Sequence, residues 1–245
     1  MHRADARSPP RFRRISSTSA EVAAIGPAHA IAADVAAPDG PERIVRGALE
    51  KFSALHVLVN NAGRHARGPF GDLAEADLAA MVDVNLRAPI LLTRLVLPHL
   101  IASGRGAVVN VASLAGKVPV PGSVAYSATK FGLRGFSMAL ADELRGTGVT
   151  VSCVSPGPVE TQFIMAELDS VTDLTMSQPM VTADQVAALV VRCALDGKLE
   201  RATPRLSSAL TTVGYLAPGL RRMLRPMLER RGRRNKQKLR ERRAS

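Results

Sequence analysis

Apolar residues along this chain follow two rhythms. Short unbroken runs, AHAIAA at 28–33, VLV at 57–59, GAVVNVA at 106–112 and VTVSCV at 149–154, alternate with longer stretches whose apolar residues return every three or four positions. Unbroken runs fit strands of a parallel sheet covered on both faces. The three-to-four spacing fits helices with one buried face. Pro41–Phe52 opens on proline and puts Ile44, Val45, Ala48, Leu49 and Phe52 on one side, so a helix is predicted there. Asp77–Ser103 is a longer helical stretch in which Pro89 and Pro98 predict a bend or a restart. A further helix is predicted from Ser123 to about Gly146. Thr182 and Gln185 form a capping box that opens another, running to Leu195. The polar segment Val159–Val181, with Met and Phe scattered through it, is expected to act as a mobile lid. Strand–helix alternation predicts an α/β fold, a Rossmann-type doubly wound parallel sheet. Asn60-Asn61-Ala62-Gly63 would then stand at the carboxyl end of a strand, where open α/β sheets bind ligands.

Composition narrows the picture at the two ends. The 245 residues suffice for one α/β domain, and nearly half are apolar. No apolar run approaches the ~20 residues of a membrane span, and the basic start MHRADARSPPRFRR leads into no apolar stretch, so no secretory signal is expected. The net charge of +12 is concentrated: residues 1–14 carry five Arg and one Asp, and residues 219–245 carry twelve Lys or Arg and two Glu. The body between them is close to neutral, so the basic ends speak to location or partners rather than to the fold. The organisation expected is a disordered basic segment at 1–20, a Rossmann-type domain at 21–206, and a basic amphipathic helix with a disordered end at 207–245. Cys153 and Cys193 share no metal or redox spacing and are expected to be buried thiols in a reducing compartment. The five histidines share no metal spacing either, so no metal site is expected.

One pair of residues carries chemistry. Tyr126 and Lys130 are four apart within SVAYSATKFGLRG, which stacks their side chains on one helix face. A phenol titrates near pH ~10, and an ammonium held beside it favours the phenolate. Moving the value by about three units takes roughly 4 kcal/mol, an energy one close charge can supply. Tyr126 is thus a candidate general acid and base with Lys130 as its tuner; a solvated Lys beside a half-buried Tyr would show the same spacing.

The pair has company. Asp34-Val35 follows a strand run, NNAG stands at 60–63, Asn85 lies in a helix, and Ser113 closes a strand. Then come Tyr126 and Lys130, and Pro156-Gly157 with Thr161 after the next strand. On these landmarks, in this order, the chain from about Ala28 to Ala202 resembles the short-chain dehydrogenase/reductases. The resemblance implies a carbonyl or alcohol oxidoreductase using NAD or NADP. Tyr126 would exchange a proton with the substrate oxygen, and Ser113 would hydrogen-bond the same oxygen. Lys130 would hold the nicotinamide ribose, and Asn85 would keep a water on a proton path. Asp34 and Val35 would meet the adenine, and Asn60, Ala62 and Gly63 would pass the adenosine side. Pro156, Gly157, Val159 and Thr161 would cover the nicotinamide end. It also implies pairing through the helix at 77–103 and the Tyr126 helix, as a homodimer or homotetramer.

The family opens with a strand, a TGxxxGxG turn and a helix, followed by the strand that sorts NAD from NADP. That unit is missing or replaced here: residues 1–20 hold no glycine and no apolar strand. Strand 28–33 is expected to lose its inner neighbours, and the edges of 28–33 and 55–60 to be exposed. Two readings stay open: a shortened reductase with an unrelated string at its front, or a non-catalytic fragment that no longer binds dinucleotide and acts through dimerisation or membrane association.

In the tail, Leu216, Leu220, Met223, Leu224, Met227 and Leu228 recur at helical spacing between arginines, with an interruption expected at Pro226 and disorder after Gly232. Three roles fit the pattern: attachment to an anionic membrane surface, docking on the body, or nonspecific nucleic-acid binding. No aromatic residues interleave with the charges, which makes nucleic acid an unlikely partner. The expected setting is cytoplasmic, at the membrane periphery if the tail binds lipid, with a small carbonyl or alcohol substrate, lipidic ones included.

Overall fold

The computed structural model describes residues 26–161, 164 and 168–244. Helix α1 (Gly40–Phe52) leads to strand β1 (Val57–Asn60), helix α2 (Glu75–Val82), a π-helical turn (Asp83–Arg87) and helix α3 (Ala88–Ala102). Strand β2 (Gly106–Val111), a short 3-10 turn (Leu114–Gly116), helix α4 (Val124–Glu143) and strand β3 (Val149–Pro156) follow. Next come β4 (Val159–Glu160), the single-turn helix α5 (Asp173–Met176), β5 (Val181–Thr182), helix α6 (Ala183–Asp196) and strand β6 (Glu200–Thr203). Helices α7 (Arg205–Leu216) and α8 (Pro218–Ala244) close the chain.

Four strands form one all-parallel sheet in the order β1–β2–β3–β6, and β4 and β5 form a separate parallel pair. One face of the sheet packs Val108, Val149 and Val151 against Val45 of α1, Leu92, Val96 and Leu100 of α3, and Leu144 after α4. The other face packs Val109 and Val154 against Cys193 and neighbours on α6. Covered on both faces, β2 is buried at every position, which is why its sequence is a continuous apolar run. The capping box of α6 forms as the sequence predicts: Gln185 N–H donates to Thr182 Oγ1 at 3.2 Å, and Thr182 N–H donates to Gln185 Oε1 at 3.0 Å. Both cysteines are free and buried.

Three expectations are corrected. Residues 28–33 form no strand and are largely exposed; a parallel strand needs a neighbour for its N–H and C=O groups, and among the described residues no strand pairs with this segment. The segment is tied to α1 instead, with Arg43 Nη2 donating to Ala32 O at 3.2 Å. The restart expected at Pro98 does not form, since α3 runs through it to Ala102, while the one expected at Pro89 is present as the π-helical turn just before it. The tail is not disordered after Gly232: α8 runs through Pro226 to Ala244. Arg221, Leu224, Leu228, Gly232, Asn235 and Leu239 are among its less exposed positions and are spaced three or four apart, so one face of the helix is docked. The expected exposed edge at 55–60 is present, with Val57 48% and Val59 42% exposed on β1. The segment 1–20, read as disordered, lies outside the described residues, as do 162, 163 and 165–167 of the expected lid.

Candidate active site

The carboxyl ends of β1, β2 and β3 open onto a cavity of about 680 Å³. Ser113 lies just past β2, where it caps the 3-10 turn by accepting a hydrogen bond from Ala115 N–H at 3.1 Å. Tyr126 and Lys130 come from the first turns of α4, which the chain presses onto that turn. A Cβ on Gly116 would stand 2.6 Å from Lys130 O, so only glycine allows the approach. Tyr126 stands close enough to Ser113 for the serine side chain to pull on its pKa. Lys130 is 4% exposed, donates from Nζ to Val111 O at 2.9 Å, and holds Nζ 5.7 Å from the Tyr126 ring centre.

Electrostatics at the pair differ from the sequence-based expectation. Burial holds the Tyr126 phenol above its ordinary value, opposed by the Ser113 side chain and the positive charge of Arg67. Burial also pushes the Lys130 amine down, from 10.5 to about 8. The lysine is therefore a buried amine that is itself hard to charge, and the polar pull on the phenol comes from Ser113 and Arg67.

Asn85 sits on the π-helical turn and is fully buried. Its Oδ1 accepts from Arg64 N–H at 2.8 Å, while Nδ2 donates to Arg64 O at 2.8 Å and to Thr129 Oγ1 at 3.2 Å. Thr129 in turn donates to Tyr126 O at 2.8 Å. The amide thus clamps the chain after NNAG to the Tyr126 helix, and the π-helical turn is what delivers it, a common use of such turns.

Of the residues singled out in the sequence, Gly63, Ser113, Tyr126, Lys130, Pro156, Gly157, Val159 and Thr161 line the cavity. Asn60 does not. Its Nδ2 donates to Asn110 Oδ1 at 2.8 Å, Asn110 Nδ2 donates to Ser137 Oγ at 2.9 Å, and this buried ladder fixes β1, β2 and α4 behind the site. Asn61 lines the cavity in its place. Ala62 is exposed and outside the lining, and Asp34 and Val35 stand in a turn before α1. There Asp34 Oδ1 accepts from Ala36 N–H at 2.9 Å, and Arg87 Nη2 donates to Ala36 O at 2.6 Å.

Three participants escaped the sequence reading. The His65 ring stacks on Tyr126, centres 3.9 Å apart at 12°, with Nε2 3.0 Å from Ser123 Oγ. Burial, then Arg67 and Lys130, depress its pKa to about 3, so the ring is neutral over the physiological range. Arg67 reaches the lining and raises the local potential. Gln178 reaches it too, and its buried Oε1 has no hydrogen-bond partner among the described residues. A histidine that stacks across sixty residues leaves no local pattern, so only the fold brings it into view.

The remaining wall comes from the expected lid. Val171, Thr172 and Thr175 line the cavity, and α8 grips this segment from outside. Asp173 pairs with Arg233 and with Lys236, each at 3.2 Å, and Asp169 pairs with Arg240. Asn235 Nδ2 donates to Met176 O at 2.9 Å, and Leu239 packs on the cluster of Leu168, Val171 and Met176. A Cβ on Gly232 would stand 1.7 Å from Asp173 O, so the seam closes only on glycine.

A family profile described as short chain dehydrogenase matches residues 10–171. The chain belongs to the short-chain dehydrogenase family. It is therefore an enzyme of the oxidoreductase class, in a family that normally uses NAD(P). It is 36% identical over 168 residues to an acetoacetyl-CoA reductase of Allochromatium vinosum, covering 67% of this chain and 68% of that protein. It is 34% identical over 206 residues to the ketoacyl reductase HetN of Nostoc, covering 80% of this chain and 70% of that protein. The crystal structure of a short-chain dehydrogenase from Streptomyces avermitilis superposes with a TM-score of 0.71 at 31% identity, covering 87% of this chain and 84% of that one.

Proposed function

We propose that this short-chain dehydrogenase reduces a carbonyl or oxidises an alcohol with Asn85, Ser113, Tyr126 and Lys130 as its catalytic set. The observation that carries the reading is the convergence of Ser113, Tyr126 and Lys130 on one cavity wall, with the serine side chain pulling on the phenol. A carbonyl oxygen set between the two hydroxyls accepts from both, and Tyr126 passes it a proton as negative charge develops there. Its raised pKa keeps the phenol protonated at neutral pH, the form that direction requires. Lys130 and the positive field of Arg67 stabilise the phenolate left behind. Asn85 holds the Tyr126 helix in register with the chain after NNAG.

A bound nicotinamide dinucleotide, NAD or NADP, supplies the hydride. The residues present fit its nicotinamide end: Tyr126, Lys130, Pro156, Gly157, Val159 and Thr161 surround the space, and the orphaned Gln178 Oε1 offers an acceptor to a carboxamide N–H. Asp34, Val35, Ala62 and Gly63 would serve the adenosine side, with Asn60 offering its backbone while Asn110 holds its side chain. The substrate is a small apolar carbonyl or alcohol, because Leu114, Val118, Val120, Val171, Val186 and Val190 supply much of the wall. Helices α3 and α4 pair in a homodimer or homotetramer, for which exposed Ile90 and Ile101 offer apolar contact. The setting is cytoplasmic with peripheral membrane attachment.

The test is consumption of NADH and of NADPH, read at the nicotinamide absorbance band, with acetoacetyl-CoA as the probe carbonyl. The full chain is expected to turn over. Tyr126→Phe is expected to lose about 10²–10⁴-fold in kcat at unchanged melting temperature, and full activity in Tyr126→Phe would discard the assignment. A second reading, a fragment without dinucleotide binding, is favoured by the bare edge of β1 and by the absence of a TGxxxGxG string. Calorimetric titration with NADPH separates the two, since only the first gives a saturable heat.

A further inference from the structure

The docked face of α8 is accounted for by its grip on residues 168–176; the face flanking it, about a third of a turn round the helix, points to a partner. It carries Leu220, Met223 and Met227, which are 41%, 69% and 59% exposed. One turn further along come Arg230, Arg231, Arg234 and Lys238, all exposed, and none pairs with a carboxylate among the described residues. At 100° per residue these seven positions fall within about a third of the helix circumference. The stripe is thus apolar in its first half and cationic in its second.

Charge decides what covers such a stripe. A second copy related by a two-fold axis would set the same face against itself and bring like charges together without counter-ions. An anionic bilayer offers the complementary pair: headgroup phosphates for the guanidinium groups and an acyl boundary for the leucine and methionines. We propose that α8 lies on an anionic phospholipid surface, with Met223 and Met227 entering the acyl boundary and Arg230, Arg231, Arg234 and Lys238 on the headgroups. This deepens the peripheral attachment proposed above by naming its residues and its lipid. Because the adjoining face of α8 holds residues 168–176 of the cavity wall, the lipid-facing stripe and the reacting pocket are joined through one helix. An apolar substrate partitioned into the bilayer would then be delivered at the wall rather than from bulk water.

Flotation of the full chain on vesicles of phosphatidylcholine, with and without phosphatidylglycerol, tests this. The expected result is at least roughly tenfold more protein floated by the anionic vesicles, falling as salt is added. Met223→Asp with Met227→Asp is expected to reduce the floated fraction by about tenfold or more. Each Arg→Gln change at 230, 231 or 234 is expected to reduce it roughly fivefold. All of these side chains are exposed and outside the docked seam, so circular dichroism and melting temperature should not move. If the methionine pair does unfold the protein, the Arg→Gln series decides alone. Equal recovery on neutral and anionic vesicles, or no flotation at all, overturns the proposal. So does a dimer in sedimentation velocity that the methionine pair dissolves without any effect on flotation, since the stripe would then be covered by a second copy. Flotation needs no turnover, so either result leaves the catalytic reading standing.

Discussion

Strands β1 and β2 are neighbours made of similar residues, VLVN and GAVVNV, in register from Val57–Ala107 to Asn60–Asn110. Their surroundings could hardly differ more. Every residue of β2 is buried, whereas Val57 and Val59 on β1 are 48% and 42% exposed. An apolar run therefore states a capacity for burial, and the neighbours decide whether the capacity is used. AHAIAA at 28–33 carries the same lesson further: without a partner strand it forms no ladder at all. The proposed proton-handling side chains stand where strands have neighbours on both sides, past the end of β2, while the chain after β1 adds Gly63, His65 and Arg67 to the wall.

The comparison can be broken most forcefully at the centre. Val109→Asp, at a position with no exposure, would bury an unpaired charge between β3 and α6 and is expected to cost more than about 4 kcal/mol. Urea unfolding measures it, and a cost near 1 kcal/mol would mean that β2 is no more covered than its neighbour. A second probe uses Lys130, anchored on the last carbonyl of β2. Its amine titrates near 8 in the folded chain against 10.5 ordinarily. Between those values the unfolded chain keeps a proton that the native one has released, so stability rises with pH through the window and carries the full cost below pH 8. Relative to Lys130→Met, the wild type should gain on the order of 3 kcal/mol between the two limits; parallel melts of both proteins across that range would show the amine to be solvated. The smallest effect belongs to the edge. Val59→Lys is expected to change stability by no more than about 0.5 kcal/mol while reducing aggregation seen by light scattering. A larger cost would show that the edge is covered in solution.

Much of this was legible in the chain. The runs at 57–59, 106–112 and 149–154 gave three of the four strands of the sheet. Ser113, Tyr126 and Lys130 could be grouped because each stands at a predictable end or spacing of an element. What escaped depends on contacts distant in sequence. Asp169 and Asp173 meet Arg240, Arg233 and Lys236 across sixty or more residues, so the end after Gly232, read as disordered, turns out to continue a docked helix. Asn60 ends β1, and that its side-chain amide turns inward to Asn110 could be read only from the fold. The direction of the Tyr126 shift was missed for a related reason: spacing shows which charge is near, and only packing shows how dry the phenol is.

The seam between α8 and residues 168–176 has a practical corollary. Any affinity handle or fluorescent protein appended after Ser245 would hang from the helix whose Arg233, Lys236 and Arg240 hold the pocket wall. Michaelis constants obtained with such a fusion would register the handle as well as the enzyme.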